Sequence, residues 1–280
     1  MRTVSERLTQ IMDELKEKHG QATETPVNYE QYRCDFANNN SGNLNEVDGH
    51  NCEECKNKGI VYFVKKDDLT GWETMTARAC KCMAVRRTLR RAKKSGLGNI
   101  LTDFTFAKYE TPEEWQQHIK QKAQMFCKDE DAKWFYIGGQ SGAGKSHICT
   151  AIAGYFIKQG KDCRYMLWRD DAVKLKALVN DYEQYSKNMD KFKNIDVLYI
   201  DDFLKTQRGA EPTQADINLA FELLNYRLMG RDKITVISSE YPIVQALKFD
   251  EATIGRIYQQ TGIYKIDIPK DINKNYRLRG

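Results

Sequence analysis

Trp134-Phe-Tyr-Ile-Gly-Gly-Gln-Ser-Gly-Ala-Gly-Lys-Ser-His147 is the stretch that decides the fold. It opens with WFYIG (134–138), an apolar run of strand length, and passes directly into G-x-x-x-x-G-K-[ST] from Gly139 to Ser146. The residues that follow, HICTAIAGYFIKQG, have helical character. Strand, glycine-rich turn and helix in that order are what a phosphate-binding loop needs. The glycines let successive backbone N–H groups turn inward, and the helix N-terminus adds positive dipole. Gly139, Gln140, Ser141, Gly142, Ala143, Gly144, Lys145, Ser146 and His147 are therefore the nucleotide-binding candidates. Lys145 is expected to reach the β- and γ-phosphates of ATP, and the Ser146 hydroxyl to ligate Mg2+.

Outward from this loop, CRYMLW (163–168), IDVLYI (195–200), KITVIS (233–238) and YKIDI (264–268) read as further strands. Segments between them, such as ADINLAFELLNYRLMG, carry helical period. Fully apolar strands alternating with helices predict the α/β class, a parallel sheet flanked by helices. The third strand ends in Asp201 and Asp202. Asp201 then falls beside the magnesium, and Asp202, one residue further out, is placed to polarise an attacking water. The fourth strand ends in Ser238-Ser239-Glu240, and Ser239 is the candidate sensor of the γ-phosphate or the water. Asp250-Glu-Ala-Thr-Ile-Gly-Arg256-Ile-Tyr reads as a short amphipathic helix carrying one arginine.

The rest of the 280 residues has room for a smaller module. Hydrophobic residues make up 41% and charged residues 30%, and no run approaches the roughly 20 apolar residues of a membrane span. The N-terminus is charged throughout and unlike a secretory signal, so the expected compartment is cytoplasmic, with no membrane partner. A reducing cytosol favours metal ligands over disulfides among the eight cysteines. Cys52-x-x-Cys55 and Cys80-x-Cys82 form two close pairs bridged by GIVYFVKKDDLTGWETMTARA, which reads as a hairpin. Four thiolates so spaced can close a structural Zn2+ site with no open position for substrate. Cys34 and His50 are weaker candidates, and Cys127, Cys149 and Cys163 lie in apolar contexts that read as core.

The net charge is +5, but it is local: eight Lys or Arg residues and no acid lie between Arg78 and Thr102. Like charges recur four apart along Arg86, Arg87, Arg90, Arg91, Lys93 and Lys94, which costs helix stability unless phosphate or an acidic partner surface compensates. A second basic set, Arg164, Arg169, Lys174 and Lys176, follows the second strand. At the N-terminus Val4, Leu8, Ile11 and Leu15 make a helical stripe that Gly20 ends, and 21–51 reads as loop. The expected organisation is an N-terminal helix and loop (1–51), a zinc module with a basic connector (52–98) and the ATPase domain (99–280).

From about Phe104 to Tyr276 the chain resembles the AAA+ ATPases of the DnaC and DnaI type, the bacterial and phage helicase loaders. FTFAKY (104–109), GQSGAGKSH (139–147), YIDDF (199–203) and ATIGRIY (252–258) carry the resemblance. It implies an AAA+ ATPase that self-associates through its ATP site, with Arg256 acting as an arginine finger on the neighbour's nucleotide. A DnaB-type replicative helicase and single-stranded DNA are the partners it implies, and Lys174 and Lys176 fall in the region that faces DNA in loaders. Zinc-bearing N-terminal modules also occur among these proteins. Two departures stand out. Loaders often carry Asn where this chain has Ser239-Glu240, and the acid after the first aspartate is often Glu, so the shorter Asp202 implies slow, partner- or DNA-regulated hydrolysis. Transposase-helper ATPases of the IstB type share the core, which keeps that role open beside a non-hydrolysing adaptor that only binds zinc and nucleotide.

Overall fold

The computed structural model describes residues 28–206, 210–230 and 232–278. The stripe at Val4, Leu8, Ile11 and Leu15 lies outside the described residues. The chain divides into two compact units, Met1–Ala84 and Val85–Gly280. Among the described residues no helix is long and apolar enough to cross a membrane.

The first unit is built on an antiparallel hairpin of β1 (Ile60–Lys66) and β2 (Glu73–Ala79), in register from Ile60 opposite Ala79 to Lys66 opposite Glu73. Asp67 shapes its turn, since one carboxylate oxygen accepts the N–H groups of Leu69 and Thr70. The loop expected over 21–51 is corrected here: Tyr29–Asn39 and Leu44–Asp48 are helices. Composition misled because the Asn residues act at helix ends and in tertiary bonds rather than in free loop. The Asn28 side chain caps the first helix by accepting from Glu30 and Gln31 N–H. Asn38 pairs with the backbone of Tyr62 in both directions, at 2.8 and 2.9 Å, as a strand would. The helix therefore docks on the hairpin, and Cys34 is buried on its inner face.

The second unit holds a five-stranded parallel sheet in the order β4-β5-β6-β3-β7. The strands are β3 (Trp134–Gly139), β4 (Cys163–Leu167), β5 (Val197–Asp201), β6 (Ile234–Ser238) and β7 (Lys265–Ile268). Alternate residues of each strand face opposite sides. Phe135, Ile137, Val197 and Tyr199 enter one core with the helices Glu114–Lys128 and Lys145–Lys158. Trp134, Tyr136, Leu198 and Ile200 enter a second core with the helices Trp168–Ala177, Gln214–Met229 and Glu251–Thr261. Both cores need apolar side chains, which is why the strands show no polar alternation. The expected P-loop α/β architecture, a parallel sheet flanked by helices, is present. Cys127, Cys149 and Cys163 are buried in the first core, as read.

In the second unit Arg91, on the basic helix Cys82–Lys94, pairs with Asp162 at 2.9 Å. Ser95 just beyond this helix accepts the Tyr165 N–H at 2.7 Å, covering the edge strand β4. On the other side Arg227 is fully buried and donates to the carbonyls of Phe192, Ile195 and Ile234 and to the Thr235 hydroxyl. Burial lowers its pKa to about 10. One guanidinium thus satisfies the backbone where the helix Tyr182–Lys193 hands over to β5 and where β6 begins.

Candidate functional site

The loop Gly139–Lys145 leaves β3 at the carboxyl end of the sheet, between β6 and β7, and turns into the helix Lys145–Lys158. Ligands of open parallel sheets bind at this end. Gly139 has φ +108°, and a Cβ there would meet the Ile268 carbonyl oxygen at 1.9 Å, so both the conformation and the space require glycine. Lys145 is buried, and its ammonium donates to the carbonyls of Gly139 and Gln140 at 2.8 and 2.7 Å across the loop. Burial lowers its pKa, while Glu240, Asp202 and Asp201 pull the other way.

Asp201, at the end of β5, gathers the groups around it. One oxygen accepts the Ser146 hydroxyl at 3.0 Å, the Ser238 hydroxyl, and the Asp202 N–H at 3.1 Å. Its other oxygen accepts the Tyr165 hydroxyl at 3.1 Å. Ser146 and Asp201, read separately from sequence, are therefore brought into contact. Oxygen donors of this kind suit Mg2+. Ser146 and Asp201 would hold the ion, which when bound neutralises charge on the β- and γ-phosphates.

Asp202 has φ +53°, and its carboxylate pairs with Lys205 at 3.2 Å. Lys205 also pairs with Glu240 at 2.8 Å. Burial works against the Lys205 charge, but the bonds to Glu240 and Asp202 outweigh it and raise its pKa. Ser239, the expected sensor, turns elsewhere: its hydroxyl donates to the Phe203 carbonyl at 2.9 Å and accepts the Tyr241 N–H at 3.1 Å. Ser238 is the serine of this strand that reaches Asp201. Tyr165 and Lys205 carried no motif. Tyr165 becomes visible only from register, since it sits on β4 beside β5, two residues below the partner of Asp201.

A cleft of about 200 Å³ adjoins the loop, lined by Tyr109, Gln116, Gly142, Gly144, His147 and Tyr276 among others. His147 pins the segment 104–109 against it. Its ring stacks on Phe104 at 4.8 Å, meets Tyr109 edge-on at 5.1 Å, and hydrogen-bonds the Thr105 carbonyl at 2.9 Å. Burial lowers the His147 pKa, helped by the nearby Lys120 and Lys108 and opposed by the Thr105 hydrogen bond, in which the ring nitrogen facing the carbonyl carries the proton.

Arg256 is exposed on the helix Glu251–Thr261 and donates to the Asn225 side chain. The basic residues separate. Arg86, expected at a DNA or partner surface, is instead fully buried, whereas Arg87 and Arg90 are exposed. Arg91 is held by Asp162, Lys174 by Asp171 at 3.1 Å, and Lys176 by the buried Asp216 at 2.5 Å. These ion pairs answer, within the chain, charge that the sequence left open.

In the first unit the thiols of Cys52, Cys55, Cys80 and Cys82 lie within 4.8 Å of one another. Cys52 and Cys80 are 3.7 Å apart, and Cys55 and Cys82 3.6 Å. Zinc–sulfur bonds of 2.3 Å in a regular tetrahedron place sulfurs about 3.8 Å apart, so the donor set fits Zn2+. Lys56 and Asn57 adopt positive φ behind the first pair, turning the chain so that the Gly59 N–H points at the Cys55 sulfur at 3.2 Å. Burial would raise the Cys55 pKa, but this N–H and the neighbouring thiols bring it down to about 7.

Comparison with known proteins agrees with this geometry. The chain is 25% identical to the uncharacterized protein YqaM of Bacillus subtilis, over 96% of this chain and 94% of that one. It is 29% identical to the phage-like element PBSX protein XkdC of the same organism, over 82% and 87% of the two chains. The replicative helicase loader DnaC of Buchnera aphidicola matches at 23% identity over 50% of this chain and 61% of its own. Residues 66–259 match the IstB-like ATP binding proteins, a stretch that contains the loop, Asp201, Asp202 and Arg256, and the chain belongs to that family.

Proposed function

We propose that this protein hydrolyses ATP and uses the reaction to help place a DnaB-type replicative helicase on single-stranded DNA. The observation that carries the ATPase part is the Ser146–Asp201 contact beside Lys145, which brings both halves of a phosphoryl-transfer centre together. Lys145 binds the β- and γ-phosphates, and Asp202 orients the water that attacks the γ-phosphorus as the bond to the ADP oxygen breaks. The ion pair of Asp202 with Lys205 competes with that role. It supports slow basal turnover that a partner or DNA raises. The loader part rests on the motifs at 104–109, 139–147, 199–203 and 252–258 and on the similarity to the Buchnera loader. The four cysteines bind one Zn2+ that holds the first unit together.

A second reading, a helper ATPase for a transposase, follows from the core that IstB-type helpers share and is supported by the match to the IstB-like ATP binding proteins. Capture on immobilised full-length chain separates the two. Retention of the host's replicative helicase in the presence of ATP supports the loader. Retention of a transposase of the IS21 kind, with no helicase bound, overturns it.

Self-association through the ATP site makes a further prediction. Arg256→Ala should bind ATP as the parent does yet lose hydrolysis by about 1,000-fold, the pattern of an interaction made in the transition state. Mixing it with Lys145→Ala should restore turnover, because mixed assemblies contain interfaces with an intact loop facing an intact arginine. Native mass spectrometry checks that subunits exchange. Exchange without restored turnover shows that Arg256 is no finger.

A further inference from the structure

The last described residues pack on the phosphate loop. At the end of β7 the Ile268 carbonyl accepts the Gln140 N–H at 3.2 Å, and beyond it the Asp271 N–H donates to the Gln140 side chain at 3.0 Å. The Tyr276 N–H then donates to the Gly142 carbonyl at 3.1 Å. Between these bonds the Asn275 amide lies on the open face of Gly142: a Cβ placed there would come within 1.9 Å of its Oδ1. That same oxygen accepts the Arg277 N–H at 3.1 Å, which fixes the side chain within the turn. Trp115 braces the turn from the other side, with the Lys274 ammonium 5.6 Å from its ring and the Tyr276 ring at 6.4 Å.

Tyr276 also lines the cleft beside the loop, together with Tyr109. Tyr109 is only 5% exposed, and its hydroxyl has no hydrogen-bond partner among the described residues. A buried phenol without a partner on the wall of a cleft calls for a polar ligand atom.

We propose that the turn Ile272–Leu278 completes the nucleotide site, with Asn275 as a positioning residue for the phosphate loop and Tyr276 as the wall of a nucleobase pocket. The inference rests on reading Gly139–Ser146 as an ATP loop. A phosphate loop binds by converging several backbone N–H groups on one centre, and each must be ordered either before the ligand arrives or at the ligand's expense. Gly142, at φ +74°, is one of the loop glycines that carry no side-chain restraint of their own. Asn275 supplies from outside the contact that a side chain would have made. Tyr276 acts on the other end of the ligand, offering an aromatic face to a planar base.

Isothermal titration of the full-length chain with ATP and with inorganic tripolyphosphate, which lacks the base, separates the two roles. Asn275→Ala should weaken both ligands about tenfold, the equivalent of about one net hydrogen bond. Tyr276→Ala should weaken ATP about tenfold and leave tripolyphosphate unchanged. Tyr276→Phe should match the parent for both. Parent-like binding by Asn275→Ala, or an equal loss of both ligands in Tyr276→Ala, overturns the proposal. If Asn275→Ala melts well below the parent without ligand, Asn275→Ser, which keeps an acceptor for Arg277, carries the same expectation. Lys145→Ala distinguishes the two failures. If it binds tripolyphosphate like the parent, the loop reading falls. If it loses both ligands while Asn275→Ala keeps them, only the role of the turn falls.

Discussion

Lys145→Ala is expected to bind ATP at least about 100-fold more weakly than the parent and to show no turnover above background. The Lys145 ammonium is buried at the loop, bonded to the Gly139 and Gln140 carbonyls, with Asp201, Asp202 and Glu240 in the surrounding field. Removing it leaves the β- and γ-phosphates facing those acids without a matching cation. Truncating one member of a buried charge pair costs about 2–5 kcal/mol, and charge developing on the transferred phosphoryl group in the transition state adds to the loss in rate. Calorimetry and phosphate release check both parts. Because the side chain occupies a loop mouth rather than either core, the variant should unfold at nearly the parent's temperature without nucleotide. Near-parent affinity in a folded variant would remove the P-loop assignment.

Cys80→Ser is expected to remove the bound Zn2+ and melt the first unit while leaving the second folded and able to bind ATP. Apart from the four thiols and Val61, few apolar side chains converge in the first unit, and Tyr29, Tyr32, Phe36, Leu69 and Trp72 are exposed. A core this small does not hold a unit alone. In modules of this kind metal binding supplies about 10–16 kcal/mol that is folding free energy. The sheet of the second unit has two apolar cores of its own. Metal analysis should find one zinc per parent chain and none in the variant, and circular dichroism should show a partial loss of structure that a chelator reproduces on the parent. Unchanged zinc content in Cys80→Ser would contradict the four-cysteine assignment.

Legibility in the sequence followed how locally each feature is determined. The phosphate loop, the strand ending in Asp201-Asp202 and the Cys52, Cys55, Cys80, Cys82 spacing are local patterns with fixed chemistry, and each was readable. The parallel sheet followed from strands apolar on both faces. The helix Tyr29–Asn39 falls in a stretch whose Asn-, Gly- and Asp-rich composition reads as loop, and it is held by a tertiary device, Asn38 bonded to Tyr62, that no local rule anticipates. Arg86 and Arg227 look like surface charges by type, yet both are buried, and Arg227 serves carbonyls from two separate segments. Ser238 and Ser239 are indistinguishable in composition. Alternation along β6 decides which of them meets Asp201. Lys205, Tyr165 and Asn275 reach the site only through strand order and the path of the chain after β7.

The most direct test of the central claim is the loading of replicative helicase onto covalently closed, circular single-stranded DNA, which a ring can encircle only if it opens. Helicase retained on the circles after a high-salt wash is quantified with ATP alone, with ATP and the parent chain, and with ATP and Lys145→Ala. Loading that depends on the parent chain and falls to the chain-free level with Lys145→Ala is the predicted result. Retention that is the same without the chain, or that Lys145→Ala supports as well as the parent, would contradict an ATP-driven loader.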